Sequence, residues 1–219
     1  MSSPGPTPSG ATGPTRRRYA PRLPPEQRRE QLLDAALSVI LELGYSGVSI
    51  EAIARTAGVT RPVVYDRFPN LGRLLHALVE REERVALEQL EHVLPADTGA
   101  VEPGELLAGG VKRFLDAVVS RPATWRIILL PPNGTPAIVR EHVETNRAST
   151  LRRIEQVVEL MLERPEAPAD LDVELTARAI RDLGEEAGRI VLTDLERYPP
   201  ERYERFVKTI IGLVWPHAA

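Results

Sequence analysis

A cluster of side chains in the first third of the chain has the chemistry needed to bind a nucleic acid. Arg61 can donate two parallel hydrogen bonds to a guanine edge, and the methyl groups of Thr60 and Val63 can pack against a thymine methyl. A phosphate contact is an equally good interpretation of Arg61. Arg55 and Arg67 are typical of contacts to the phosphate backbone, with an ordinary solvated helix face as the alternative. Phosphate contacts supply affinity, whereas sequence choice depends on the side chains that reach the bases.

The residues around this cluster predict two short helices joined by a tight corner. Ser49 is a good N-cap for the first helix, and its hydroxyl and the helix N-terminus can also meet a phosphate. Gly58 supplies the left-handed conformation that the corner needs. Thr60 is the predicted N-cap of the second helix, and Pro62 lies in its first turn, where a missing N–H costs little. This is a helix-turn-helix arrangement, whose second helix is the one that enters a major groove.

The composition of the 219-residue chain is that of an ordinary globular protein, with 42% hydrophobic and 27% charged residues. It contains no cysteine, which removes disulfides, thiolate nucleophiles and Cys-containing zinc sites and fits a reducing cytoplasm. No apolar run approaches the roughly 20 residues that span a bilayer, and the N-terminus lacks the apolar core of a signal peptide. The four histidines form no His-x-x-x-His pair, so we expect no metal site. We also expect no cofactor and, because no apolar run is long enough to span a bilayer, no membrane partner.

Charge is unevenly distributed along the chain. Residues 1–73 hold ten arginines against six carboxylates, a net charge of +4, and because the whole chain carries −3, the remaining residues carry −7. A basic head on an acidic body suggests that one end meets a polyanion. Residues 1–22 form a predicted disordered basic tail, whose Arg16, Arg17 and Arg18 are either solvated or follow phosphates into a minor groove.

Helical periodicity predicts an all-α fold of about nine helices, with no alternating strand pattern. After the tail we predict a helix-turn-helix head over residues 23–69 and a helical body over residues 70–219. The predicted helices run over about 25–43, 49–57, 60–67, 70–94, 105–120, 125–130, 136–163, 171–197 and 200–215.

Many residues in the head match a single sequence pattern, in residue type and in spacing. They are Leu32, Leu33, Ala35, Ala36, Glu42, Gly44, Tyr45, Val48, Ser49, Ile50, Ile53, Ala54, Ala57, Gly58, Val59, Thr60, Tyr65, Phe68 and Leu74. In this pattern the segment closely resembles the DNA-binding domain of the tetracycline-repressor (TetR/AcrR) family of bacterial regulators. The resemblance implies double-stranded operator DNA as a partner and a phosphate contact for Tyr65, for which a core aromatic is the alternative.

Two positions depart from the family pattern. Leu71 stands where a phosphate-binding lysine is usual, so we expect Arg73 to substitute for it from one turn later. Pro62 and Val63 replace a small Gly-Thr pair in the second helix of the motif. The base contacts should therefore differ from the family average.

The body resembles the variable ligand-binding and dimerisation domain of the same family in the number and length of its helices. The resemblance implies a homodimer in which the last two helices of each chain form a four-helix interface, with burial inside one monomer as the alternative. Small residues let the helices approach closely, and large ones fill the seam. The predicted interface residues are Gly184, Ala187, Gly188, Val191, Leu195, Tyr203, Phe206, Ile210 and Val214.

Polar residues interrupt two apolar helix faces of the body and predict a ligand pocket. Asn146 and Thr150 interrupt one face, and Glu186 falls on an otherwise apolar face of the next helix. A carboxylate there is costly unless paired, so it awaits a cationic or hydrogen-bond-donating ligand group, or an arginine such as Arg126 or Arg189. Ordinary core packing and scattered surface positions are the alternatives. The predicted pocket residues are Trp125, Leu129, His142, Asn146, Thr150 and Glu186.

Together these inferences predict a cytoplasmic, homodimeric, sequence-specific transcriptional regulator. We expect a repressor that a small, largely apolar effector releases from a palindromic operator, with half-sites about one helical turn apart, roughly 34–36 Å. One rival is a ligand-independent DNA-binding or architectural protein, and an enclosed pocket of several hundred Å³ would argue against it. The other is an all-α enzyme with a DNA-binding head, which would need a nucleophile–base pair or a metal cluster that the sequence of the body lacks.

Overall fold

The computed structural model describes residues 23–91, 93, 102–131, 135–163, 167–168 and 170–214. Every regular element within these residues is helical, which confirms the all-α prediction. The predicted tail over residues 1–22 lies outside them. In chain order the helices are α1 (Pro25–Leu43), α2 (Ile50–Thr56), α3 (Arg61–Tyr65), α4 (Leu71–Leu90), α5 (Pro103–Ser120), α6 (Pro122–Leu129), α7 (Ala137–Leu162), α8 (Val173–Thr193) and α9 (Pro200–Val214), with one 3-10 turn at Tyr45–Gly47.

Local signals set the ends of the first two helices. α1 ends where Gly44 adopts a φ of 68°, and Gly58 adopts a φ of 65° between α2 and α3. Both values lie in the left-handed region that favours glycine. Ser49 caps α2, because its Oγ accepts a hydrogen bond from the backbone N–H of Ala52 at 3.1 Å.

The third helix differs from its prediction at both ends. Thr60 precedes α3, but its side chain accepts no capping hydrogen bond from the described residues. The reason is that Pro62 has no N–H, while the N–H of Val63 already donates to the Thr60 carbonyl oxygen at 3.0 Å. α3 ends at Tyr65 rather than near residue 67.

The core of the head is enclosed by α1, α2, α3 and the first half of α4. Each of these helices contributes a side chain with no exposed surface, namely Leu33, Ile53, Val64 and Leu78. Ile127 of α6 and Val139 of α7 join the same cluster. The body therefore packs directly on the head, and α4 belongs to the cores of both.

The body is built around α5. α9 packs along α5, α7 pairs with α8, and α6 contacts both α4 and α8. Trp125 and Leu129 of α6 share a buried cluster with Leu115 of α5 and Val191 of α8. Over the described residues, no helix combines the length and the apolar composition that a transmembrane span requires.

Three helices of the body have other limits than the periodicity predicts. α4 ends at Leu90 rather than near residue 94. α6 begins at Pro122, a residue well suited to a first helical turn, rather than near residue 125. α8 ends at Thr193 instead of near residue 197. There Asp194 leaves the helical conformation, and its carboxylate accepts a hydrogen bond from the N–H of Arg197 at 3.1 Å.

A buried hydroxyl in the head yields a prediction about stability. Tyr45 is 6% exposed, its hydroxyl has no hydrogen-bond partner among the described residues, and burial raises its pKa to about 12. We expect Tyr45→Phe to raise the free energy of unfolding by about 1 kcal/mol at neutral pH, because an unsatisfied buried hydroxyl is removed.

The same residue makes the stability depend on alkaline pH. In the unfolded chain tyrosine ionises near pH 10, whereas in the folded chain it ionises near pH 12. Between these values the unfolded state loses the proton first, so the wild-type protein should lose more stability than Tyr45→Phe as the pH rises. Urea unfolding of both proteins at matched concentration tests this, and parallel pH profiles would contradict it.

Candidate nucleic-acid interface and ligand cavity

One face of α3 packs against the core of the head, and the opposite face is exposed to solvent. Val64 is 0% exposed and Phe68 is 4% exposed, so these two side chains anchor the helix in the core of the head. Thr60 and Arg61 are exposed, and Tyr65 is 46% exposed, which excludes the core interpretation of this tyrosine. The face opposite the core thus presents hydroxyl, guanidinium and phenol groups.

The predicted DNA-contacting residues lie at the ends of three helices. Ser49 is exposed at the N-terminus of α2, and Arg73 is exposed in the first turn of α4. Arg55 at the end of α2 and Arg67 after α3 are also exposed, whereas Val63 is half-buried. Helix N-termini and exposed guanidinium groups are both suited to anions.

Among the described residues, these four arginines lack the carboxylate partners that several arginines of the body have. No described carboxylate forms an ion pair with Arg55, Arg61, Arg67 or Arg73, whereas ion pairs of 2.6–3.0 Å hold Arg147, Arg178 and Arg189 of the body. A guanidinium without a carboxylate partner can bind a phosphate without first breaking an internal salt bridge. These four guanidinium groups are therefore available to a polyanion.

A cavity of about 190 Å³ lies in the body, among side chains of α4, α5, α6, α7 and α8. Four of the predicted pocket residues line it, namely Trp125, Leu129, Asn146 and Thr150. The fifth, His142, has a side chain outside the described part of the structure. The volume is smaller than several hundred Å³, but charged side chains at the α7–α8 edge also border a solvent-open groove.

The structure differs from the prediction at Glu186. Its carboxylate is 58% exposed, does not line the cavity, and lies 3.0 Å from the guanidinium of Arg189. The apolar face that contains it is an outer face of α8, since Leu183 on the same face is 71% exposed. Its neighbour Glu185 lines the cavity instead and accepts hydrogen bonds from Arg147 at 3.1 and 2.9 Å.

Sequence reasoning also missed charged residues of the cavity wall. Glu83 of α4, Arg153 of α7 and Arg181 of α8 line it. Arg153 follows Thr150 by three residues and therefore shares its helix face. That spacing is a signal that could have identified Arg153, whereas nothing local distinguishes Glu83 from the other charges of α4.

Part of the predicted dimer interface is buried within the monomer. Ala187 is 4% exposed and Val191 is 3% exposed, and both pack with α5 and α6. Gly188 lets α8 approach α6, because a Cβ added there would lie 2.7 Å from Cδ1 of Leu129. Gly184 lines the cavity and Tyr203 packs on the core, so these five positions are turned inward.

Other predicted interface residues do face outward. Leu195 is 43%, Phe206 61% and Ile210 41% exposed, while the side chain of Val214 lies outside the described residues. The remaining large exposed apolar side chains of α8 and α9, which the prediction missed, are Leu175 at 65%, Leu183 at 71% and Leu213 at 75%.

α6 connects the cavity wall to other helices through four hydrogen bonds. Towards α4, the hydroxyl of Thr124 donates to Glu82 at 2.5 Å, and the indole N–H of Trp125 donates to Gln89 at 3.0 Å. Towards α8, Arg126 donates to the carbonyl oxygen of Leu192 at 3.2 Å. The fourth bond, 3.0 Å long, runs from the Arg189 guanidinium to the carbonyl oxygen of Leu129.

The bond to Glu82 continues into the head. Glu82 is 4% exposed and lies 2.7 Å from the guanidinium of Arg81. Arg81 in turn contacts Glu30 at 3.0 Å and Asp34 at 2.7 Å, both on α1. A continuous polar chain therefore joins Thr124 beside the cavity to the first helix of the head.

Comparison with known proteins identifies the family of the head. The sequence model of the tetR family of bacterial regulatory proteins matches residues 32–78. The HTH-type transcriptional activator FasR of Mycolicibacterium smegmatis is 31% identical over 107 residues, 49% of this chain and 48% of FasR. The HTH-type transcriptional regulator SrpR of Pseudomonas putida is 29% identical over 160 residues, 72% of each chain.

A solved structure extends the comparison to the body. A TetR-like transcriptional regulator from Rhodococcus sp. RHA1 has a TM-score of 0.70 and 25% sequence identity, over 88% of this chain and 99% of that one. The match to FasR spans only about half the length of that relative. The segment that matches the family model, residues 32–78, contains α2 and α3. It also contains the exposed residues predicted to contact DNA, among them Arg55, Arg61 and Arg67. Residues 32–78 therefore form a domain of the tetR family of bacterial regulatory proteins, and the all-helical architecture of the chain is similar to that of a TetR-like regulator.

Proposed function

We propose that the protein is a homodimeric, sequence-specific DNA-binding regulator, and specifically a repressor that a small, largely apolar effector releases from its operator. The observation that carries this proposal is the outer face of α3, where Thr60, Arg61 and Tyr65 are exposed and Arg61 has no described carboxylate partner. A face of this chemistry on a tetR-type head is suited to a major groove.

The proposed dimer rests on two apolar stripes. On α8, Leu175 and Leu183 are spaced by about two helical turns, and on α9, Phe206, Ile210 and Leu213 follow the i, i+4, i+7 spacing of one face. Each of these side chains is more than two fifths exposed in the single chain. A second copy of the chain is the proposed cover, since a two-fold interface uses the same patch twice.

The proposed response to an effector rests on the position of α6. Trp125 and Leu129 face the cavity, while Ile127 packs into the core of the head and Thr124 begins the polar chain to α1. A ligand that prefers one placement of α6 would therefore shift the head as well. A cavity of about 190 Å³ with a mostly apolar lining supports this ligand-responsive function, although it is smaller than the several hundred Å³ that would argue against an architectural role.

Binding of operator DNA by variants of α3 tests the proposal. An operator is first selected from a random pool with the wild-type protein. Arg61→Ala should then lose about 1–3 kcal/mol of binding free energy, concentrated at one base position, if Arg61 reads a base. Tyr65→Phe should weaken operator and random DNA alike, because a phosphate contact carries no sequence information.

The matched control is Arg152→Ala, which removes an exposed arginine of α7 outside the cavity wall. Its affinity for operator DNA should equal that of the wild-type protein. Equal losses on operator and random DNA would reassign Arg61 to the phosphate backbone. Failure of the wild-type protein to enrich any sequence would refute sequence-specific binding.

A further inference from the structure

The cavity lining contains side chains of both charges, with carboxylates on α4 and α8 and arginines on α7 and α8. Glu83, which is 5% exposed, lines it from α4. Arg153 lines it from α7 and Arg181 from α8. Leu87, Phe114 and other apolar side chains form most of the remaining lining. A ligand that fits must therefore be apolar over most of its length and polar at the α7–α8 edge.

The α7 wall carries a row of polar side chains, of which Asn146 and Thr150 can donate or accept hydrogen bonds and Arg153 can only donate them. Asn146, Thr150 and Arg153 follow the i, i+4, i+7 spacing of one helix face, and all three line the cavity. Across the same edge, Arg181 adds a second guanidinium. A guanidinium offers donors and no acceptor, so this edge is suited to a ligand group that accepts hydrogen bonds.

The two guanidinium groups at this edge are only weakly engaged. Arg153 makes no ion pair with a described residue. Arg181, whose side chain is 20% exposed, donates hydrogen bonds of 2.9 and 2.7 Å to its chain neighbour Asp182. The Asp182 carboxylate is 64% exposed, so solvent screens this pair and an incoming anion can replace it.

The carboxylate of this edge that lines the cavity is already saturated with donors. Glu185 accepts hydrogen bonds from Arg147 at 3.1 and 2.9 Å and from Arg189 at 2.8 Å. A cationic ligand would have to compete with both arginines for it. The edge therefore favours an anion over a cation.

We propose that the ligand of the cavity is an amphipathic anion. Its apolar chain occupies the cavity against Trp125 and Phe114, and its carboxylate or phosphate accepts hydrogen bonds from Arg153 and Arg181. The proposal rests on the proposed function only in calling this ligand an effector. Binding to the cavity is a property of the body and is measured without DNA.

Calorimetric titration of the full chain with octanoate, octyl phosphate, octanol and octylammonium tests the charge preference. At least one of the two anions should bind about tenfold or more tightly than octanol, as expected for charge-assisted hydrogen bonds, and octylammonium should bind most weakly. The anion that binds more tightly distinguishes a carboxylate from a phosphate head group. Equal binding of octanol, tighter binding of octylammonium, or no saturable binding of either anion would overturn the proposal.

Variants locate the two ends of the ligand. Arg153→Gln and Arg181→Gln should remove most of the preference for the anion, whereas Arg152→Gln, next in sequence but outside the lining, should keep it. Gly184→Leu should weaken all four probes together, because a Cβ there meets nothing within 4 Å and the larger side chain enters the cavity. Equal losses in Arg152→Gln and Arg153→Gln would refute the assigned site.

A second titration separates this inference from the proposed function. Operator DNA must weaken binding of an inducing anion by the same factor by which the anion weakens binding of DNA. Anion binding that DNA leaves unchanged would refute induction and leave the ligand class standing. Intact operator binding without any anion binding would refute the ligand class and leave the DNA-binding function standing.

Discussion

Phe206→Glu is expected to be monomeric at micromolar concentration and to bind operator DNA at least about a hundredfold more weakly than the wild-type protein. Phe206 is 61% exposed in the single chain and lies in one stripe with Ile210 and Leu213. In a two-fold interface the substitution occurs twice, and each buried, unpaired carboxylate costs several kcal/mol. Sedimentation velocity gives the oligomeric state, and titration of labelled operator gives the affinity.

The matched control is Leu160→Glu, which places the same charge on an exposed leucine of α7, 45% exposed and outside both stripes. This variant should remain dimeric and bind operator DNA normally. A wild-type monomer, or a dimer that persists in Phe206→Glu, would refute the proposed interface. Gly188→Arg cannot serve as this test, because its side chain would collide with Leu129 and Phe114 inside the monomer.

Arg81→Met is expected to lower the free energy of unfolding by about 3–5 kcal/mol. Its guanidinium, 11% exposed, forms an ion pair with Glu82, whose side chain is 6% exposed. Removing one member of a buried pair leaves the other charge buried without compensation, which accounts for the size of the loss. Urea unfolding at matched protein concentration measures it.

Two further variants identify the cause of that loss. Arg178→Met breaks an exposed pair with Glu174 and should cost at most about 1 kcal/mol. Adding Glu82→Gln to Arg81→Met should recover part of the stability, because the uncompensated charge is then gone. A loss in Arg81→Met no larger than in Arg178→Met would contradict the buried network, as would a double variant less stable than Arg81→Met.

The same network bears on the proposed response to an effector. It joins Thr124, next to the cavity, to Glu30 and Asp34 on α1. If the network carries the coupling, Arg81→Met should reduce the factor by which the effector and operator DNA weaken each other's binding. This reduction is separate from the loss in the free energy of unfolding. The unfolding experiment and the linkage titration therefore report on two separate properties of one network.

The helix-turn-helix head could be predicted from the sequence because its determinants are local. Ser49 caps α2 through a bond to a residue three positions away, and Gly58 turns the chain because its own backbone adopts a positive φ. The exposed side of α3 follows from the periodicity that buries Val64 and Phe68. Such interactions span only a few residues, so the order of the amino acids determines them.

The arrangement of α8 was decided by the tertiary structure. The helix has apolar residues on two faces, one with Ala187 and Val191 and the other with Leu175 and Leu183. Periodicity identifies both faces but does not tell which one meets α5 and α6. The close approach at Gly188 places the first face inside, which leaves Leu183 outside and Glu186 in solvent beside Arg189.

The cavity depends on the tertiary structure for the same reason. Trp125, Asn146 and Thr150 were predicted to line it because they interrupt or flank apolar faces within single helices. Glu83 and Arg181 line it only because α4 and α8, distant in sequence, meet around the same space. The sequence by itself determined an all-helical chain with a DNA-binding head. Packing between distant helices determined which charges face the ligand, because no single helix contains that information.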